Sequence, residues 1–226
     1  MRVFAIGDVH LSFGAEKPMD IFGAAWSDHA ARLEAAWRST VSPGDLVLIP
    51  GDIYWAMRLA DALPDFAFLD ALPGKKLLLR GNHDYWWSSL AKVRAALPPS
   101  IRAIQNDSAC YPGLSVAGTR GWISPGAQAF SADDEKIYAR ELLRLELSLK
   151  TLPKAGRRIA MLHFPPFADG KPTAFCTLLS RYGVEKVVYG HLHGHAHASA
   201  FEGTADGVEY IFVAGDRLGF CPKRIL

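Results

Sequence analysis

Five short apolar runs in this sequence end in residues that can bind a metal ion. The runs cover residues 3–6, 46–49, 76–79, 159–162 and 187–189, and their length and composition are typical of buried β-strands. The residues that follow them are Gly7-Asp8-Val9-His10, Gly51-Asp52, Gly81-Asn82-His83-Asp84, His163 and Gly190-His191-Leu192-His193. Ligands of open α/β sheets bind beyond the carboxyl ends of the strands. We therefore expect these five clusters to meet at one site.

Helical periodicity separates most of these strands and predicts an α/β fold. It covers residues 28–40, 57–72, 85–97, 131–152 and 172–182. Ser131, with Asp134 three residues later, resembles a helix-capping signal. Residues 196–201 and 209–214 are typical of the two strands of a hairpin. We predict a single domain over residues 1–226 with mixed strand pairing.

Two segments without periodicity directly follow strands on the ligand side. Residues 11–26 follow the first cluster, and residues 119–130 follow a further strand predicted at 114–117. Long loops at such positions act as lids or substrate walls in many enzymes, and elsewhere they are simple surface connections. The sequence leaves both interpretations open.

Composition excludes several classes of protein. Hydrophobic residues make up 50% of the 226 residues, enough for a sizeable core. Lys and Arg number 25 against 23 Asp and Glu, and no basic block resembles a nucleic-acid-binding tail, so no specific nucleic-acid partner is predicted. Cys110, Cys176 and Cys221 contain no Cys-x-x-Cys pair, which argues against a disulfide framework or a thiolate zinc site.

Targeting signals are not apparent in the sequence. The residues after Met1 are typical of a strand rather than of a cleavable leader, and no apolar run reaches the length of a transmembrane segment. We expect a cytoplasmic enzyme that acts on a small substrate. The sequence does not indicate an oligomeric state.

Seven residues of the clusters suit a pair of metal ions. Asp8 and His10 are two residues apart, so at a strand end their side chains can point to the same face. The Asp52 carboxylate has two oxygens and can bridge two cations. Nitrogen and oxygen ligands without thiolate suit manganese, iron or zinc. We assign Asp8, His10 and His193 to the first ion, and Asn82, His163 and His191 to the second, with Asp52 between them.

This ligand set favours a catalytic site. Each ion keeps room for water, which distinguishes catalytic from closed structural sites. Two dications carry more charge than Asp8, Asp52 and a bridging hydroxide cancel. The site should therefore attract phosphate esters.

Together, the five clusters resemble the five motifs of the calcineurin-like metallophosphoesterase family, in the same order, with His163 preceding Phe-Pro-Pro. Within that family the chain is similar to the compact bacterial predicted phosphohydrolases. The resemblance implies a four-layer α/β/β/α sandwich with two central mixed β-sheets. It also implies two divalent metal ions and a metal-bridging hydroxide as nucleophile. The implied function is hydrolysis of phosphate mono- or diesters, with nucleotides or other small phosphorylated metabolites as substrates.

Several neighbouring residues are candidates for catalysis. His83 is not assigned to a metal, so we interpret it as the group that protonates the leaving oxygen or stabilises the transition state. Asp84 would orient His83 through its other ring nitrogen. Arg120, flanked by glycines, and Arg80 are candidates for bidentate phosphate binding. The alternatives are a structural role for His83 and ordinary ion pairing for the arginines.

Aromatic residues and further histidines follow the same strand ends. Trp55 and Trp122 are candidates for substrate contact, although packing against the sheet is the ordinary alternative. His195 and His197 continue the alternation of the preceding histidines and could line one face of a strand, but we interpret them as lying outside the metal shell. The Gly215-Asp216 pair is interpreted as a turn.

Three other functions remain open at this stage. A protein Ser/Thr phosphatase is disfavoured because this compact chain leaves little room for a substrate groove. A hydrolase of lipid-linked phosphate is disfavoured by the lack of an obvious basic amphipathic helix. A non-catalytic scaffold is disfavoured because every expected ligand is present.

Overall fold

Two mixed β-sheets lie between layers of helices in the computed structural model of this chain, which describes residues 1–127 and 129–226. The strands are β1 (Val3–Ala5), β2 (Leu46–Pro50), β3 (Lys75–Leu79), β4 (Ile101–Ile104), β5 (Ser108–Tyr111), β6 (Leu114–Thr119), β7 (Arg157–Leu162), β8 (Phe167–Ala168), β9 (Lys171–Pro172), β10 (Lys186–Tyr189), β11 (Gly203–Ala205), β12 (Val208–Phe212) and β13 (Lys223–Arg224). The α-helices are α1 (His29–Thr40), α2 (Leu63–Ala71), α3 (Leu90–Ala96), α4 (Ala132–Lys150) and α5 (Ala174–Arg181).

Each large sheet has a parallel centre and an antiparallel edge. The first has the order β13-β1-β2-β3-β4, in which β1 to β4 are parallel and β13 is antiparallel. The second has the order β11-β12-β10-β7-β6-β5, with β5 and β11 as antiparallel edges. Strands β8 and β9 form a separate small pair. The parallel strands of each sheet therefore end on a common side.

The side chains of each strand alternate between its two faces and build the four layers that the family resemblance implies. In β2, Leu46 and Leu48 pack in the core between the two sheets, whereas Val47 and Ile49 pack with residues of α1, α2 and α3. A third core joins the outer face of the second sheet to α4 and α5. Successive side chains of a strand point to opposite faces, so strands buried on both sides appear as continuous apolar runs. The α/β/β/α sandwich is confirmed.

Some predicted elements differ from the observed ones at their ends. Residues 85–89 are not helical, because α3 begins after Ser89, whose hydroxyl accepts from the amide of Lys92. The region 57–62 contains the short 3₁₀ helix Leu59–Ala62, and α2 begins beyond it with Pro64 in its first turn. The C-terminal hairpin is present, but its first strand is β11. No helix of the described residues is long and apolar enough to span a membrane.

Candidate metal centre

The seven predicted ligands come from the carboxyl ends of strands in both sheets. In the first sheet, Asp8 and His10 follow β1, Asp52 follows β2 and Asn82 follows β3. In the second sheet, His163 follows β7, and His191 and His193 follow β10. The fold brings all seven together where the two sheets meet.

Asn82, His163 and His191 form one compact group of donor atoms. Oδ1 of Asn82 lies 2.6 Å from Nε2 of His163 and 2.9 Å from Nδ1 of His191, and the two nitrogens are 3.2 Å apart. The other ring nitrogen of His163 lies 3.1 Å from the carbonyl oxygen of Pro50. When that Nδ1–H donates to Pro50, Nε2 presents its lone pair to the group. Burial lowers the pKa of His163 to about 3 and that of His191 to about 2, so both rings are neutral. Three lone-pair atoms at these distances fit a shared cation.

Asp8, His10 and His193 form a second group, and Asp52 lies between the two. One ligand atom from each of the three lies within 4.8 Å of the others. Oδ2 of Asp52 is 3.8 Å from Nε2 of His10 and 3.5 Å from Nε2 of His163. The assignment of these residues to two ions stays a prediction.

The protonation of these groups reflects their burial. Burial raises the pKa of Asp8 well above its usual range; the charge of His193 lowers it, and the charge of Asp52 raises it further. Burial also raises the pKa of Asp52. The pKa of His10 is lowered well below its usual value, first by burial and then by the neighbouring histidines. A bound dication reverses the cost of the buried carboxylates and prefers neutral imidazoles. This set of nitrogen and oxygen donors therefore fits divalent metal ions.

Four of the ligand residues have left-handed backbones. The φ angles are 53° for Asp8, 44° for His10, 50° for Asp52 and 76° for His191. Such conformations cost roughly 1–3 kcal/mol each and are concentrated at functional sites. Backbone hydrogen bonds between the loops after β1 and β2 stabilise these conformations. The amide of Asp8 donates to the carbonyl of Gly51 at 3.0 Å, and the amide of His10 donates to the carbonyl of Asp52 at 3.1 Å.

Two glycines allow the carboxylates to approach the backbone. A Cβ at Gly81 would overlap Oδ1 and the amide of Asp52, and a Cβ at Gly190 would overlap Oδ2 of Asp8. The amide of His191 can then donate to both Asp8 oxygens, at 3.0 and 3.1 Å. Glycine is required here for close contact.

The Asp84 carboxylate organises the loops around the ligands and does not contact His83. It accepts from the amides of Gly81, Asp52, Ile53 and Tyr54 at 2.7 to 3.2 Å and from the Trp86 indole at 3.0 Å. Burial, and then the charge of Asp52, raises the pKa of Asp84 to about 7. The expectation that Asp84 orients His83 is wrong, because both carboxylate oxygens are committed to these donors.

His83 lies beside the two groups of ligands. Its amide donates to Oδ1 of Asp52 at 2.8 Å, and its ring centroid is 4.8 Å from that of Trp55 and 5.9 Å from that of His10. Its Nδ1 is buried and has no hydrogen-bond partner among the described residues. The imidazole is thus close to the metal ligands, and one ring nitrogen is unengaged.

Comparison with known protein families decides the classification. The sequence model of the calcineurin-like phosphoesterases matches residues 1–195. The chain belongs to this family. Family membership implies a hydrolase of phosphoesters with divalent metal cofactors. No curated protein gave a match to the chain.

Solved structures agree with this phosphoesterase in fold. The phosphopantetheinyl hydrolase PptH of Mycobacterium tuberculosis has a TM-score of 0.61 at 14% identity, covering 100% of this chain and 95% of that one. A protein of unknown function from Aquifex aeolicus has a TM-score of 0.52 at 13% identity, covering 99% and 95%. At these identities the similarity extends to the fold alone.

The arginine candidates of the phosphoesterase line a cavity beside the metal centre. The Arg120 guanidinium lies 3.6 Å from Oε1 of Glu141 and 4.4 Å from the ring centroid of Trp122. The Arg120 carbonyl accepts from the amide of His163 at 3.0 Å. Arg80 lines the same cavity. The Arg120 side chain thus lies beside Glu141 of α4, and Arg80 shares the cavity with it.

The two tryptophan candidates occupy different positions. Trp55 stacks on His10, with centroids 4.9 Å apart and planes at 20°, and thus borders the metal ligands directly. Trp122 is one ring further away, since it packs on Phe164, which in turn packs on His191 at 4.0 Å. The Trp122 indole donates to Asp134 at 2.8 Å, which fixes it to the start of α4.

An open pocket of about 540 Å³ lies beside the first group of ligands. We call it the apolar recess. Its lining includes the imidazoles of His10, His83 and His193 and the apolar side chains of Met19, Phe22, Trp26 and Trp55. Residues 11–26 therefore contribute to its wall. In the other candidate segment, 119–130, residue 128 lies outside the described residues.

Asp216 is the residue of this site that sequence reasoning missed. Its Oδ1 lies 3.0 Å from Nδ1 of His193, and its Oδ2 accepts from the amide of Gly194 at 3.2 Å. Burial lowers the pKa of His193, but the hydrogen bond with Asp216 and the charge of Asp8 outweigh this effect and raise it overall. Gly215-Asp216 does begin a turn, and its resemblance to the other Gly-Asp pairs after strands was the available signal.

The histidines after His193 are not in a strand. Residues Gly194–Ser199 form a 3₁₀ helix, which turns the chain away from the extended path that the alternation suggested. His195 is exposed. His197 places Nε2 3.0 Å from Oδ2 of Asp216. The idea of four imidazoles along one strand is therefore wrong.

Proposed function

We propose that this phosphoesterase hydrolyses phosphate mono- or diesters at a centre of two divalent metal ions. Nucleotides or other small phosphorylated metabolites are the proposed substrates. The observation that carries the proposal is the convergence of two groups of three donor atoms, with the Asp52 carboxylate between them.

Two bound dications supply an activated water and neutralise the phosphoryl oxygens. The first group consists of Asp8, His10 and His193, and the second consists of Asn82, His163 and His191; Asp52 belongs to both. Asp216 holds the ring of His193 through Nδ1, leaving Nε2 to face Asp8 at 3.6 Å. Such an outer carboxylate fixes the tautomer and orientation of a ligand imidazole.

His83 is the group placed to transfer a proton to the leaving oxygen. It lines the apolar recess together with two ligand histidines. A leaving group seated in this recess would therefore lie beside the His83 imidazole. Proton transfer by a positioned side chain contributes typically about 10²–10⁴-fold to the rate.

The recess also favours leaving groups with an aromatic or apolar portion. Its aromatic wall includes Trp55, whose indole is fixed by Met19 Sδ at 2.9 Å and whose face carries the Lys17 ammonium at 4.4 Å. A nucleobase or an aryl group can pack against the accessible part of this wall, where Phe22 is exposed. This surface supports nucleotides over small sugar phosphates.

The test is a screen of phosphate mono- and diesters with the purified protein in manganese, iron or zinc. The panel includes nucleotides, cyclic nucleotides, aryl phosphates, a phosphoserine peptide and, because of the fold similarity to PptH, a phosphopantetheine diester. We expect metal-dependent turnover of at least one nucleotide or aryl ester, and none by Asp52→Asn. A wild-type protein that binds metal and hydrolyses no ester would instead be a scaffold.

Hydrolysis of a lipid-linked phosphate is a second candidate. Phe22 lines the recess and is 57% exposed, and the adjacent Ile21 is 69% exposed, so an acyl chain would find apolar surface there. A lipid phosphate in detergent micelles, compared with nucleotides at matched concentration, distinguishes the two. Replacement of Ile21 and Phe22 by Ser should reduce only the lipid activity if this candidate is correct.

A further inference from the structure

A second cavity, which shares no lining residue with the apolar recess, is strongly basic. It has a volume of about 240 Å³ and lies where β3, β4 and β6 end against α4. Four arginines line it, namely Arg80, Arg120, Arg140 and Arg144, and Glu141 is the only acidic residue among the lining residues. We call it the arginine cavity.

Glu141 leaves most of this positive charge unbalanced. Its side chain is 1% exposed, accepts from Arg144 at 2.6 Å and from the Thr119 hydroxyl at 2.5 Å, and lies 3.6 Å from Arg120. Among the described residues, neither Arg80 nor Arg140 forms an ion pair with a carboxylate. One carboxylate therefore faces four guanidinium groups.

The lining groups have hydrogen-bonding capacity to spare. Nε of Arg80 is buried and has no partner in the described part of the chain. The four guanidinium groups share this cavity with a single carboxylate and repel one another. Like charges gathered at a partly enclosed cavity are unfavourable unless an anion lies between them.

We infer that the arginine cavity binds a phosphate group, distinct from the phosphoryl group that reacts at the metals. The planar fork of each guanidinium matches two phosphate oxygens, and four arginines from three chain segments offer more donors than one carboxylate accepts. The cavity adjoins the metal centre, because Arg80 is two residues before Asn82 and the Arg120 carbonyl accepts from the His163 amide. The phosphate can be a second phosphate of the substrate or a free phosphate.

Arg140→Gln is the informative variant. Arg140 is exposed and makes no ion pair among the described residues, so its loss should not disturb the Glu141 contacts. Lys136→Gln, at another exposed position of α4, removes the same charge and serves as the matched control. Inorganic phosphate is titrated calorimetrically into each metal-loaded protein. We expect two classes of phosphate site in the wild type, and a loss of about tenfold in affinity at one class in Arg140→Gln but not in Lys136→Gln, as for one charge-assisted hydrogen bond.

The Asp52→Asn variant separates this inference from the proposed function. It should lose the class of phosphate site that belongs to the metals and retain the other class. Equal phosphate binding by Arg140→Gln and Lys136→Gln, or complete loss of phosphate binding in Asp52→Asn, overturns the inference. Absence of the metal class alone would count against the proposed function and leave the arginine cavity supported.

Two kinetic measurements then identify the source of the phosphate. If the substrate carries it, Arg140→Gln raises KM for a nucleoside bisphosphate several-fold more than KM for an aryl phosphate. If it is free phosphate, the two KM values change in the same ratio, and the noncompetitive part of inhibition by inorganic phosphate is lost. A variant that alters neither KM nor the inhibition pattern contradicts the inference.

Discussion

Two buried or half-buried carboxylates, Asp84 and Asp216, form hydrogen bonds with the loops that carry the predicted ligands. Asp84 accepts five hydrogen bonds and connects the loops after β2 and β3. Asp216 connects the loop after β12 to His193. Neither carboxylate belongs to the two groups of metal donors described above, but each fixes residues that do. Their contribution should therefore appear as stability and ligand geometry.

Replacement of Asp84 by Asn tests this role. An amide has one acceptor oxygen, so several buried amides would lose their partner at about 1–3 kcal/mol for each unsatisfied group. We expect Asp84→Asn to lower the free energy of unfolding by about 3 kcal/mol or more, measured by urea denaturation. Asp133→Asn, at an exposed position in the first turn of α4, should change it by less than about 0.5 kcal/mol. Equal stability of the two variants would contradict the role given to Asp84.

Variants of His83 and Asp52 should distinguish catalysis from metal binding. We expect His83→Ala to retain nearly all bound metal and to slow esters with poor leaving groups most, by about 10²–10⁴-fold, because they depend on protonation. Asp52→Asn should lose metal and turnover together. Metal content by elemental analysis and rates across a series of leaving groups provide the measurement. Loss of metal from His83→Ala would show that the division of roles is wrong.

Residue identities near strand ends were predictable, whereas their outer partners were not. The sequence placed the seven ligand candidates because each directly follows an apolar strand. It misassigned Asp84, since the five donors of that carboxylate come together only when two loops fold against each other. Asp216 was missed for the same reason, because its partner is 23 residues away in the chain.

Strand ends and tight loops position the ligands at the scale of secondary structure. Gly190 directly follows β10, at the point where the Asp8 carboxylate approaches the backbone. We expect Gly190→Ala to displace Asp8 and to weaken metal binding by at least about tenfold, as other changes around metal ligands do. Gly44→Ala is the matched control, because a Cβ at Gly44 meets nothing within 4 Å. Metal titration measures the affinity of both variants. Equal affinities would contradict the requirement that the Asp8 carboxylate approach the backbone of Gly190 closely.

Asp45 fixes the first two strands at the opposite end from the metals. It accepts from the Arg2 amide at 2.9 Å, from the Arg2 guanidinium and from the Ser42 amide at 2.9 Å. The hydrogen bond from the guanidinium is the main reason that the pKa of Asp45 falls to about 2. Because the folded pKa lies below the unfolded value of about 3.9, the stabilisation is complete above the unfolded value and is lost as the pH falls toward 2.

The corresponding measurement compares the wild type with Asp45→Asn by urea denaturation between pH 2 and 7. We expect the variant to be less stable by a constant amount from pH 5 to 7, with the difference shrinking below pH 4. A difference that does not change down to pH 2 would contradict the contribution of this carboxylate.

Element types were predicted better than element boundaries. Continuous apolar runs predicted the parallel strands because these are buried on both faces. The expected start of α3 at residue 85 was wrong because Trp86 and Trp87 pack in the core as a non-helical turn. The first strand of the hairpin was misplaced because contacts with Asp216 turn the chain after His193.

At the scale of the whole molecule, folding brings segments that are distant in the sequence into one site, and the overall composition does not indicate such a site. A net charge of +2 and the absence of a basic block gave no sign of the arginine cavity. It forms because β3, β6 and α4 converge, with Arg140 and Arg144 one helical turn apart on α4. Electrostatic surfaces of this kind depend on tertiary packing.

The proposed metal centre joins the two sheets, so metal binding should stabilise the whole fold. The first sheet would provide Asp8, His10, Asp52 and Asn82, and the second would provide His163, His191 and His193. Unfolding separates these ligands, so a metal that binds only the folded chain adds about 2.7 kcal/mol when it is 100-fold above its Kd. For a domain of this size each kcal/mol raises Tm by roughly 2–4 °C.

We therefore expect saturating manganese to raise Tm by at least about 8 °C, the value for one bound ion, relative to the same protein in chelator, measured by calorimetry. The increase should follow the free metal concentration, because it arises from mass action. Asp52→Asn removes the carboxylate between the two groups and should lose most of the increase, whereas Gly44→Ala should keep it. If the chelated and metal-saturated wild type melted together, or if Asp52→Asn gained as much as the wild type, the ligands would not form a metal centre that spans both sheets.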